Sequence, residues 1–369
     1  MNTIVITHGE YFLSIIALSL LFAPIIHYLR YGWAPKRTEI LDNFTGEGIK
    51  KYFSLFFPAR DSAEQNHNST EENLKTDFTS FYDRRFGRKH FIIPGILLFA
   101  VSGFLIFFVN RIVFEWLRGT SQTGLNVPPV AIAALVGAYS WALLDLVTKA
   151  YVYDLKPTNL FTTSFRLIVA APLGLAVAAL LKDEVGIPVA LFLGAFPAKT
   201  LTTMARRQVS SRFNIEGSSN NGTLELQSLQ GINRTLAERF ESEGVSTILQ
   251  LAYSDPVVLT MRTNFSFSYV VDCCSQALAW LYFEDNLAKM RNFGLRGAQE
   301  ISILIGEIDS GEDDAKRATE CFKAVVTALK VDSKAFDWAL REVAEDPYTI
   351  FLNEVWCWNA DVDESENDS

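Results

Sequence analysis

Four apolar runs dominate the first half of this 369-residue chain: 11–29, 91–109, 127–147 and 161–181. Each is about as long as the roughly 20 residues a helix needs to cross the hydrocarbon core of a bilayer. One such run fits a buried helix of a water-soluble protein, but four so close together point to a membrane bundle. A fifth run, VGIPVALFLGAFPAKTL (185–201), is shorter and carries Pro197 and Lys199. It is expected to span as well, with a re-entrant hairpin as the alternative. The 49% hydrophobic content decides little by itself. Its concentration ahead of Arg207 predicts an all-α, multi-pass transmembrane bundle of about five spans over 1–207, followed by a soluble all-α domain.

Charge sets the expected orientation. No Lys or Arg precedes the first run, as a signal peptide would require, whereas Arg30, Lys36 and Arg37 follow it. Positive charge collects on the cytoplasmic side, so the N-terminus is expected outside and the 30–90 loop inside. Arg84, Arg85, Arg88 and Lys89 before the second run agree, as do Lys149 and Lys156 after the third and Arg206 and Arg207 after the fifth.

Within the spans, small residues recur four apart: Ala133 and Gly137, Gly174 and Ala178, Ala190 and Gly194. That spacing puts two small side chains on one face and lets helices approach closely. Two charges stand out against this apolar background, Asp145 and Arg166. An intramembrane charge is costly unless paired or set in a polar cavity, so an Asp145–Arg166 ion pair is expected, with snorkelling of both to the interface as the alternative. Prolines 172 and 197 remove backbone donors within the apolar runs.

The loop between the first two spans is too long for a simple connector. In EGIKKYFSLFFP, Ile49, Tyr52, Phe53 and Phe56 recur at helical spacing, with Lys50 and Lys51 beside them. This reads as an interfacial amphipathic helix on the inner leaflet; the alternative is packing against the soluble domain. Phe78, Phe81 and Tyr82 repeat the pattern.

GSSNNG within 208–222 is the expected linker, 223–358 the cytoplasmic helical domain, and 359–369 an acidic disordered tail. Asn233 is placed to cap a helix through Phe240, with Gly244 and Val245 to stop it. Thr247 opens a second helix and Asp255–Pro256 a third. The order Leu229–Gly231–Ile232, Thr235–Leu236–Ala237, Gly244–Val245 and Asp255–Pro256 resembles the helix-hairpin-helix, or SAM-like, fold over about 229–283. That resemblance implies a Gly-hydrophobic-Gly turn offering backbone N–H groups to phosphate. The matching turn here is Gly231–Ile232–Asn233, without the second glycine.

Phosphate binding draws on Lys and Arg. Gln208–Ser369 holds 27 acidic against 13 basic side chains, a net of −14, so nucleic acid is the least favoured partner. Histidines 8, 27, 67 and 90 all precede this region, and no zincin, nucleophile-elbow, P-loop or dinucleotide motif occurs. The four cysteines show no metal-ligand spacing. No catalytic residue, metal or cofactor is therefore expected. The expected function is a non-enzymatic membrane anchor or interaction module, engaging the bilayer and a protein partner through 223–358, with self-association through the bundle. A channel, pore or transporter subunit with a regulatory cytoplasmic domain is the different-class alternative.

Overall fold

A computed structural model describes residues 2–58, 71–119, 127–196, 225–311 and 313–355. Every regular element among them is helical. Four stretches are long and apolar enough to cross a membrane: Tyr11–Asp42, Glu72–Leu117, Pro129–Tyr151 and Pro157–Leu180. The chain divides into two compact units, one of 1–35 with 82–217 and the other of 36–81 with 218–369. The expected linker 208–222 and tail 359–369 lie outside the described residues.

The first unit holds α1 (Asn2–His27), α5 (Ile92–Arg118), α6 (Pro129–Tyr151), α7 (Pro157–Leu180) and α8 (Asp183–Ala195). A π-helical turn, Tyr28–Gly32, follows α1. The interior is built from small residues. On α6, Ala131, Ala134, Gly137, Ala138 and Ala142 are buried while Leu144 is 67% exposed. On α7, Ala170 and Gly174 are buried while Phe165 is 69% exposed. Small residues inside and large apolar ones outside invert the arrangement of a protein dissolved in water. It is the arrangement expected where the solvent is lipid and helices gain by close backbone approach. Serine and threonine hydroxyls in the spans bond back along their own helices, Ser102 to the Leu98 carbonyl at 2.6 Å and Ser164 to the Leu160 carbonyl at 2.8 Å.

The fifth apolar run departs from expectation. Its helix α8 has 13 residues, about 20 Å at 1.5 Å per residue, against a hydrocarbon core of about 30 Å. The chain leaves helical geometry at Phe196, one residue before Pro197, whose ring disfavours a helical residue ahead of it. Residues 197–201 lie outside the described set.

Two glycines fix how α8 sits on α6. A Cβ on Gly137 would stand 2.2 Å from the Leu191 carbonyl oxygen, and one on Gly194 would stand 2.2 Å from that of Ala134. Gly186 faces Val130 in the same way. Rising numbers meet rising numbers, so the two helices run parallel. α8 begins level with the start of α6 and ends level with its middle.

The second unit joins two distant parts of the chain. From the first come α2 (Trp33–Asp42), α3 (Gly46–Phe56) and most of α4 (Glu71–Phe86). From the second come α9 (Arg234–Ser242), α10 (Ile248–Ala252), α11 (Pro256–Thr263), α12 (Phe267–Phe283) and α13 (Asn286–Met290). Then follow α14 (Ala298–Ser310), α15 (Asp313–Leu329), α16 (Ser333–Glu345) and α17 (Pro347–Val355). α12 is the axle, with Cys273 through Ala279 buried without a break. The caps follow from side-chain chemistry. Asn233 accepts from the Leu236 N–H at 3.0 Å, and Thr247 with Gln250 forms a capping box. Asp255 accepts from the Val258 N–H at 3.0 Å.

The aromatic face of α3 corrects the sequence expectation of a helix lying on the inner leaflet. Ile49 and Tyr52 are fully buried and Phe53 nearly so, all within the second unit. The Tyr52 ring lies 6.2 Å from Phe351, and its hydroxyl donates to Asp255 at 3.1 Å. Phe56 packs on Tyr348 and Phe351. Lys51 pairs with Glu354 at 2.8 Å, whereas Lys50 turns to Glu47 at 2.7 Å. The physical reason is the tyrosine: a buried hydroxyl needs a partner, and Asp255 supplies one.

Candidate functional site

Arg166 is the most unusual side chain of the first unit. It stands ten residues into α7, roughly 14 Å along the helix from Pro157. The guanidinium lies 4.1 Å from the centroid of the Trp141 ring on α6. One of its terminal nitrogens donates to the Gly194 carbonyl at 2.6 Å and also to that of Phe196. These are carbonyls at the end of α8, where a helix has acceptors with no partner of its own. A cation there also meets the negative end of the helix dipole. Arg166 is thus a C-cap supplied from a neighbouring helix.

The expected Asp145–Arg166 ion pair does not form. Asp145 is bound at 2.8 Å by Lys149, one turn further along α6. That i,i+4 partner is nearer in sequence and needs no second helix. The Arg166 Nε is buried without a hydrogen-bond partner among the described residues. Desolvated polar groups of this kind are costly.

Between α1, α5, α6 and α7 lies a cavity of about 150 Å³ lined by Ala17, Ser102, Leu105, Asn110, Leu135 and Tyr139 among others. Its polar groups are turned to protein. Asn110 donates to the Ser14 hydroxyl at 2.9 Å and Tyr139 to the Ala17 carbonyl at 2.8 Å. What remains is an apolar wall suited to apolar filling.

In the second unit, the helix-hairpin-helix-like turn is closed from within. Gly231 has φ +84° and Gly244 φ +90°, left-handed positions that glycine takes without strain. Ile232 is buried and Asn233 serves as the α9 cap. The Gln230 N–H donates to the Gln276 side chain at 2.9 Å, and that amide returns a bond to the Gln230 carbonyl at 3.2 Å. Tyr269 donates to the Gly231 carbonyl at 3.1 Å. The Gln230 amide is therefore already engaged and not free for an incoming phosphate.

Gln276 is steadied by Asp272 at 2.8 Å, and Asp272 in turn pairs with Arg296. Burial raises the Asp272 carboxyl above the ordinary carboxylate range, with Arg296 opposing it. Glu300, 3.6 Å from the same arginine, is raised chiefly by burial too. Burial pushes the Cys274 thiol up to about 12, so it stays protonated and acts as packing, not as a nucleophile. Among the described residues no three His, Cys, Asp or Glu side chains are grouped to hold a metal.

Trp141, the end of α8 and Gln276 were not singled out by sequence reasoning. Only the α8 end had a signal, the Pro197 that stops the helix. No protein-family model, curated protein or solved structure matches the chain.

Proposed function

We propose that this chain is an integral membrane protein whose second unit is a cytoplasmic interaction module, tethered to the bilayer and not enzymatic. The observation that carries this reading is the composite core of that unit. Residues 36–81 and 218–369 share it, so the backbone passes between module and membrane bundle three times, near 35, 81 and 217. A module on one flexible tether needs none of this. Photo-crosslinking from exposed positions of the full chain in native membranes tests it. Discrete protein adducts are expected from the second unit and not from lipid-facing Phe165; adducts to lipid alone from every position would overturn it.

The same composite core supports an orientation. A compact unit lies on one face of the membrane, so 36–81 and 225–355 share a side. Between them α5, α6 and α7 change side three times, and a fourth crossing restores it. α8 runs parallel to α6 and supplies the first half of that crossing. Basic residues flanking α1 and α5 put the shared side in the cytoplasm, with the N-terminus outside. Cysteines replacing Thr76 and Lys334 are expected to react with a membrane-impermeant maleimide only from the cytoplasmic face, and one replacing Lys182 only from the other. Labelling of the Thr76 and Lys334 sites from opposite faces would sink this topology.

A second reading rests on Arg166. A short helix ending inside a bundle against a cation is the kind of broken element transporters use. Reproducible solute or ion flux from purified protein in liposomes, abolished by Arg166→Leu, would favour it over the anchor.

A further inference from the structure

Among the described residues, the second unit carries an exposed aromatic strip beside acidic side chains. Trp338 is 68% exposed on α16, with Glu342 one turn beyond it on the same face and Asp346 just past the helix end. The end of α12 packs on α16, Phe283 lying 5.6 Å from Phe336; the adjacent Tyr282 is 41% exposed and feels the carboxylates of both Asp346 and Glu342. Tyr253 is 49% exposed and feels the Asp346 carboxylate. Its ring is held edge-on against Tyr348 at 5.8 Å. Leu249, four residues before Tyr253, is 57% exposed and extends the strip.

The carboxylates here carry no ion pair among the described residues. Asp346 accepts from the Tyr348 N–H at 2.7 Å through one oxygen. Neither it nor Glu342 has a cation partner among the described residues, whereas Asp309 and Asp337 share Arg341. A large exposed tryptophan with two tyrosines is the composition of an interface anchor. Aromatic faces attract guanidinium and ammonium groups, and the neighbouring carboxylates add ion pairing.

Resting on the interaction-module reading, we infer that this strip is the docking surface for an Arg- or Lys-rich segment of a partner protein. Charge decides against the other occupants. A second copy would bring the same carboxylates and a C-terminal region of net −14, and an anionic lipid surface or a nucleic acid would be repelled. A basic chain is attracted, its cations over Trp338 and against Glu342 and Asp346, and its apolar residues on Leu249.

The test uses the full chain in nanodiscs of zwitterionic lipid and a fluorescein-labelled octa-arginine peptide, read by anisotropy. The arginine peptide is expected to bind in a salt-sensitive way and its glutamine counterpart not at all. Trp338→Ala is expected to weaken binding about fivefold and Glu342→Lys about tenfold, while Glu320→Lys on α15 leaves it within about twofold. All three residues are exposed, so the fold tolerates the changes. Equal binding by the strip variants overturns the proposal. So does equal loss in Glu320→Lys, which would mean diffuse acidity only, or equal binding of the glutamine peptide. The two readings fail separately. If the strip variants bind as the parent does but native membranes still yield protein adducts, the strip is wrong and the module stands. If no adducts form from any surface, the module reading falls.

Discussion

The C-terminal region expressed alone as 225–355 should fail to fold cooperatively, and fusing 36–81 to it should restore a sharp unfolding transition. Phe44, Ile49, Tyr52, Phe53 and Phe78 are all buried within the second unit. Full burial of one such side chain contributes roughly 1.5–3 kcal/mol, so five give on the order of 10 kcal/mol as an upper value. Some of that burial is between the segment's own rings, such as Phe44 on Phe78 at 5.1 Å. Half of it is still comparable to the 5–15 kcal/mol that holds a typical domain together. The fragment would also bare Phe267, Tyr348 and Phe351, which are buried in the complete unit. It would leave Asp255 without the Tyr52 hydroxyl as well. Near-UV circular dichroism and dye binding separate the outcomes: the fragment alone should bind ANS and show no fixed aromatic signal. A fragment that unfolds with the same midpoint as the fusion would mean that α3 and α4 are passengers.

This outcome bears on how much the sequence disclosed. Local chemistry was legible. Asn233, Thr247 and Asp255 cap helices because a short polar side chain preceding an apolar repeat has a nearby N–H to satisfy. Gly231 and Gly244 fall where the backbone turns left-handed. The small residues four apart on α6 and α8 lie where those helices meet. Periodicity in α3 disclosed that one face is covered, but not by what. An aromatic stripe beside lysines suits a lipid surface as well as a protein one, and the deciding partner, Asp255, is 203 residues from Tyr52. Arg166 was legible as a costly charge and its partner was not. Asp145 lay at a similar depth, but Lys149 on its own helix claims it. The carbonyls that Arg166 binds belong to every sequence alike, and only the break at Phe196 leaves them open.

The close approach of α6 and α8 makes the sharpest mutational contrast in the first unit. Gly137→Ala and Gly194→Ala should each destabilise the bundle by about 1–3 kcal/mol, although alanine is the better helix former. The added methyl would meet backbone on the facing helix, Leu191 and Ala195 in one case and Ala134 and Ala138 in the other. Backbone cannot swing aside as a side-chain tip can, so the helices must part by on the order of 1 Å. A gap of that size forfeits a quarter to a half of the dispersion attraction, roughly, along the seam, where Val130, Ala134, Val177 and Ala190 pack together. Gly95 and Gly103 on α5 supply the control, with nothing within 4 Å of the position a Cβ would take. Alanine there should be neutral or stabilising by up to about 1 kcal/mol. Thermal aggregation midpoints of the four variants in one detergent would test this, with the α6–α8 pair falling by several degrees, roughly, and the α5 pair holding or rising. Should all four melt together, α8 is not seated on α6, and the proposed topology loses its support.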